Sequence, residues 1–148
     1  MARFRYRMQN ILDVKEKMES QAKNEFAIAN AKLVEEEDKL AALQARKLSY
    51  EQDLRDLYNN ALDIEEINHT RDAIDNLTEQ IAIQKDNVRQ AQHNVDLARE
   101  KLTLAMQERK THEKLKERQF EEFLQEEAAK ESKEIDELVS FRHGQTEE

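Results

Sequence analysis

From Ile74 to Ala105 the chain returns a stripe residue every third and fourth position: Ile74, Leu77, Ile81, Gln84, Val88, Ala91, Val95, Ala98, Leu102 and Ala105, with Gln84 the one polar member. Alternating threes and fours hold one narrow seam along a helix, the a/d pattern of a heptad repeat. The residues between are mostly Asp, Gln, Lys, Asn and Arg. A seam two sevenths wide cannot bury itself, so this segment requires a second helix against it.

The rest of the chain can supply that helix. Charged residues make up 39% of the sequence and aromatic residues 5%, Pro is absent, and the sole Gly is Gly144. This is the composition of long helices and coiled coils. Sheets need turns rich in Gly and Pro at short intervals, so β structure is excluded. Without cysteine there is no disulfide, thiol nucleophile or thiolate metal site, which fits a reducing compartment. No apolar run approaches the roughly 20 residues that cross a bilayer. The opening MARFRYRMQNILDVKEKM is basic but lacks the apolar segment of a signal peptide. A cytoplasmic protein is expected.

The net charge of −9 argues against nucleic acid as the main ligand. The two ends differ in sign. Residues 1–20 carry five cations (Arg3, Arg5, Arg7, Lys15, Lys17) against three acids, net +2, and residues 121–148 carry ten acids against Lys130, Lys133 and Arg142, net −7.

In the first half a stripe runs through Phe4, Met8, Ile11, Lys15, Met18, Ala22, Phe26, Ala29, Leu33, Glu36, Leu40, Leu43, Lys47, Tyr50, Leu54 and Leu57. Two successive spacings of four at Met18, Ala22 and Phe26 predict a stutter that locally unwinds the supercoil. Phe26 reads as seam packing. Asn59-Asn60 suits a helix end, and Asp63 with Glu66 three residues later suits a helix start. The stripe changes phase in the same place, which predicts a turn within 59–63, with Asn68 to Thr70 as the alternative.

A short turn makes the helices antiparallel, pairing residues whose numbers sum to about 122. Leu40 then faces Ile81 and Phe26 faces Val95, in a rod of roughly 85 Å. The expected fold is a single all-α domain, residues 1–148, an antiparallel coiled-coil hairpin of two long helices. Helix 1 covers about 4–58, the turn about 59–63, helix 2 about 64–141, and 142–148 form a frayed tail. The C-terminal helix overhangs past about residue 118, and the hairpin is expected to be monomeric.

Arg109, Lys110, Lys114, Lys116 and Arg118 give a basic face that reads as solvated and laced with ion pairs, Met106 and Leu115 being almost its only apolar residues. Beyond it Phe120, Leu124, Ala128, Ile135 and Leu138 resume a helical stripe with no helix opposite, which calls for a partner or a second copy. His69, His93, His112 and His143 are scattered, with no i, i+4 pair, and read as surface histidines rather than metal ligands. One Gly cannot make a phosphate loop, and carboxylates on a two-helix rod lack a dry pocket. No catalytic, metal or cofactor-binding residue, no small-molecule substrate and no enzyme activity is expected.

The opening FRYRMQNILDVKEKMESQAKNEFA, with EKLKER at Glu113–Arg118 and EIDELVSFR at Glu134–Arg142, resembles the flagellar FliJ family over essentially the whole chain. That family is the coiled-coil component of the flagellar type III export apparatus, similar in shape to the central stalk of rotary ATPases. The resemblance implies binding to the hexameric export ATPase, contact with the cytoplasmic domain of the membrane export gate, and traffic in substrate chaperones, peripherally at the inner face of the membrane. With the pairing rule it points to an ATPase-binding end at Arg3, Arg5, Arg7, Leu115, Arg118, Phe120, Leu124, Ile135 and Leu138. It maps a gate-binding patch to Leu43, Tyr50 and Leu77, although Lys39, Arg46, Ala73, Gln80 and Gln84 depart from the family pattern and all three patch residues also fall on the seam. A generic scaffold, a prefoldin-like chaperone and an ATPase inhibitor are the alternatives.

Overall fold

The computed structural model describes residues 2–146. They form two helices, α1 (Gln9–Asn59) and α2 (Ile64–Thr146), with no strand among the described residues. With no Pro anywhere, nothing interrupts the backbone ladder of either helix. Gly144 lies within the last turns of α2. The helix therefore runs past 141 into the segment expected to fray, while Met1, Glu147 and Glu148 lie outside the described residues.

The first helix begins later than the stripe suggests, at Gln9 rather than near residue 4. Residues 2–6 form a non-helical arm, and the Tyr6 carbonyl accepts the Gln9 N–H at 3.2 Å. The chain reverses over residues 60–63. There Asp63 caps α2: its Oδ1 accepts the N–H groups of Glu65 at 3.1 Å and Glu66 at 3.3 Å, and its carbonyl accepts Ile67 N–H at 3.0 Å. Glu65 and Glu66 in the first turn sit favourably at the positive end of the helix dipole.

The chain divides into two compact units, residues 21–103 and residues 1–20 with 104–148. In residues 21–103 the seam of α2 follows the sequence stripe: Ile67, Thr70, Leu77, Ile81, Gln84, Ala91, Val95 and Ala98 are buried. Val95 is the deepest, at 1% exposure. From α1, Ala22 and Glu36 are buried and Phe26, Leu33, Leu40, Leu43, Tyr50, Leu54 and Leu57 half-buried. Phe26 packs in the seam with the Arg99 guanidinium 5.7 Å from its ring centre.

Two polar stripe positions of this unit, Glu36 and Gln84, meet each other. Gln84 Nε2 donates to the Glu36 carboxylate and, at 2.9 Å, to the Glu36 carbonyl, and Lys32 Nζ lies 3.0 Å from Glu36 Oε1. The Gln84 hydrogen bond first, and Lys32 second, hold the Glu36 carboxyl below the usual carboxylate range. Lys32 is in turn pushed above its ordinary value, chiefly by its hydrogen bond to Glu36.

Residues 1–20 and 104–148 correct the sequence reading of α1. Leu12 is 2% exposed and Glu19 is 7% exposed, whereas Ile11 (41%) and Met18 (45%), the stripe members named above, face solvent. Leu12, Lys15, Glu19, Ala22 and Phe26 alternate three and four without a break, so the stutter is absent. The reason is electrostatic. Arg109 Nε donates to the Glu19 carboxylate, and Arg109 Nη1 donates to Glu113 at 2.8 Å, so the buried acid has a partner. Glu19 first, then Glu113, raise the proton affinity of Arg109 and keep it charged. Lys15 Nζ reaches Glu108 at 2.9 Å.

Candidate docking site

All nine residues assigned above to ATPase binding belong to the unit formed by residues 1–20 and 104–148. The arm anchors one part of it. Phe4 packs on α2 with its ring centre 5.1 Å from that of Phe120, edge to face, and 5.5 Å from that of Phe123. Phe120 thus has an intramolecular neighbour, contrary to the expectation that nothing lies opposite the stripe from that residue on. It is still 44% exposed. Tyr6 is buried, while Arg3, Arg5 and Arg7 are exposed.

Beyond Phe123 the stripe is uncovered. Leu124 is 50% exposed, Ile135 59% and Leu138 63%, joined by Val139 and Phe141. At 100° per residue Leu124, Ala128, Ile135, Leu138 and Val139 fall within one face of α2. Every residue from 128 to 145 is exposed. Glu131 interrupts the row between Ala128 and Ile135, and Glu134 and Glu137 flank it. On the preceding turns Leu115 is half-buried and lines a shallow groove with Thr111, Lys114 and Arg118.

Three of these features escaped the sequence reading. Phe123 is one helical turn from Phe120 but off the stripe, so only the structure reveals it as part of the Phe4 seat. Val139 extends the row and Phe141 flanks it, a signal present in the sequence as apolar neighbours of Leu138. His112 differs from the other histidines: it is half-buried and its Nδ1 is enclosed without a hydrogen-bond partner, whereas His69, His93 and His143 are exposed. Among the described residues no three His, Cys, Asp or Glu side chains group as a metal site, and no helix is long and apolar enough to cross a membrane.

The residues of the gate-binding patch lie in the other unit, residues 21–103. Leu43 and Tyr50 are half-buried, and Leu77 is 4% exposed, packed into the seam. Gln84 is likewise committed, to Glu36. Lys39, Arg46 and Gln80 are the solvent-facing members of this neighbourhood, with Lys39 Nζ 3.3 Å from Glu35.

A family model for the flagellar FliJ protein matches residues 4–148. The chain belongs to the flagellar FliJ protein family. Membership places it among the components of flagellar type III protein export, in a family that is not catalytic. It is 26% identical to the flagellar FliJ protein of Bacillus subtilis (strain 168) over 135 residues, 91% of this chain and 92% of that one. A solved structure described as a YscO homolog from Chlamydia trachomatis aligns over 95% of this chain and 96% of its own, with 24% identity and a TM-score of 0.47.

Proposed function

We propose that this chain is a cytoplasmic stalk of the flagellar export apparatus, held peripherally at the membrane, that docks the hexameric export ATPase through residues 1–20 and 104–148. The surface around Leu43 and Tyr50 then meets the cytoplasmic domain of the membrane export gate, and export chaperones are escorted on the same rod. One observation carries the docking assignment: the apolar residues Leu124, Ile135, Leu138 and Val139, with Phe141 beside them, stand 50–65% exposed on a continuous helix. Covering such a row yields on the order of 10 kcal/mol gross before the costs of association, enough to anchor a complex. The Arg-bearing arm beside it supplies charge that speeds encounter.

Truncation after Glu127 tests this. The cut retains Phe120 and Phe123 under Phe4 and, among the described residues, removes only exposed side chains. The shortened chain is expected to keep its melting midpoint while losing binding to the purified ATPase and any effect on its turnover. Undiminished binding by the shortened chain refutes the docking assignment.

A further inference from the structure

Exposure alternates along the arm, with Arg3 exposed, Phe4 half-buried, Arg5 exposed and Tyr6 buried, and Arg7 is exposed in the turn that follows. Alternation of this kind arises when a non-helical segment is docked on one side, since successive side chains of extended backbone point opposite ways. Phe4 and Tyr6 occupy the docked side, Phe4 through its contacts with Phe120 and Phe123. The guanidinium groups of Arg3 and Arg5 share the other side, roughly 7 Å apart along the arm, and Arg7 follows, also exposed, in the turn that leads into α1. None of them forms an ion pair among the described residues, although Glu121, Glu122, Glu126 and Glu127 lie on the same stretch of α2 as the Phe4 seat.

We infer that this arginine row reads a row of carboxylates spaced i, i+4, i+8 on a helix of a partner protein. Such carboxylates repeat at about 6 Å, close to the spacing of Arg3 and Arg5, with Arg7 on the adjoining turn for the third, and each guanidinium fork can take one in a bidentate pair. The inference rests on the docking assignment above and adds the chemistry of the ring surface that the arm would meet. Charge selects this partner over others. An extended polyanion, whether nucleic acid or an anionic bilayer, would also face the ten acids of residues 121–148, which belong to the same unit as the arm. A second copy pairing through α2 would set two of those acidic segments side by side. A discrete acidic helix can engage the arm alone.

Two experiments test it. The first titrates an Ala-rich helical peptide bearing Glu at i, i+4 and i+8 into the 15N-labelled full chain at low salt. The Nε–Hε resonances of Arg3, Arg5 and Arg7 are expected to shift together, with the response lost when Gln replaces Glu. Unmoved arm resonances, or an equal response to the Gln peptide, overturn the inference. The second follows association with the export ATPase. Arg3→Glu, Arg5→Glu and Arg7→Glu together should slow association by about tenfold or more at low salt, and the triple Lys variant should associate normally but dissociate faster, because the fork is lost. Unchanged kinetics for the triple Glu variant overturn the arm's role. So does arginine-dependent flotation with phosphatidylglycerol vesicles or arginine-dependent dimerisation in sedimentation. If the wild-type chain engages the Glu peptide but not the ATPase, the docking assignment fails and the chemistry of the arm stands.

Discussion

Leu12 and Ile11 are neighbours in sequence with opposite fates, and their alanine variants decide the phase of α1. Leu12, at 2% exposure, loses three buried carbons in Leu12→Ala. At about 0.8 kcal/mol per buried methylene plus a cavity contribution, the cost is about 3 kcal/mol. Ile11 is 41% exposed, so only about three fifths of the same transfer energy is at stake. The better helix propensity of Ala returns about 0.4 kcal/mol, leaving a cost of about 1 kcal/mol. For a chain of this size these values correspond to melting shifts of roughly 9 °C and 3 °C. Urea unfolding followed by circular dichroism at 222 nm measures both, provided the slope with denaturant stays constant across the variants. If Ile11→Ala costs as much as Leu12→Ala, then Ile11 belongs in the seam, and the continuous heptad through Leu12, Lys15 and Glu19 is wrong.

The Glu36 carboxyl predicts a pH dependence. Its folded proton affinity is depressed by Gln84 and Lys32, so its stabilisation is present above the unfolded value near 4.3 and is lost as pH falls through the lower folded value. The urea midpoint of the wild type should therefore drop more steeply below about pH 4 than that of Glu36→Gln; parallel profiles would contradict the assignment. Removing the cap with Asp63→Ala should cost about 1 kcal/mol by the same unfolding assay, and Asp63→Asn far less, since Asn restores an acceptor. Cysteines placed at Leu40 and Ile81 should crosslink within one chain under mild oxidation, as expected for antiparallel neighbours; products only between chains would refute the intramolecular pairing.

The α2 stripe and the all-α hairpin are legible in the sequence because long-range burial there coincides with local apolar periodicity. Val95, Leu77 and Ile81 are apolar, on phase and buried. The exposed row at Leu124, Ile135 and Leu138 is legible for the converse reason, as a stripe with no matching stripe across from it. The first turns of α1 are not. Two phases compete there, one through Ile11 and Met18 and one through Leu12 and Glu19, and both share Lys15. Local hydropathy prefers Met18 to Glu19. The side chain that reverses the preference is Arg109, 90 residues away in sequence, and no local pattern identifies it as the partner of Glu19. The arm is hidden for a related reason, because the seat of Phe4 is built from Phe120 and Phe123.

The residues that defeat an apolar reading are also those that fix how the helices pair. A seam made only of Leu, Val and Ala would tolerate a slip of one heptad, since apolar residues would still meet apolar residues. Glu36 forbids it. Slipped by seven residues along α2, its carboxylate would face Leu77 or Ala91 in place of Gln84, losing its hydrogen bond while remaining largely buried. Within the other unit Glu19 imposes the same condition through Arg109: seven residues either way would bring it to Leu102 or Lys116. The Leu102 slip leaves the acid unpaired. The Lys116 slip offers a cation, but one without the planar fork that lets Arg109 hold Glu19 and Glu113 together. Each unit thus carries its own polar device for register, so a substitution that unpairs one of them should disturb alignment in that unit before it lowers helix content.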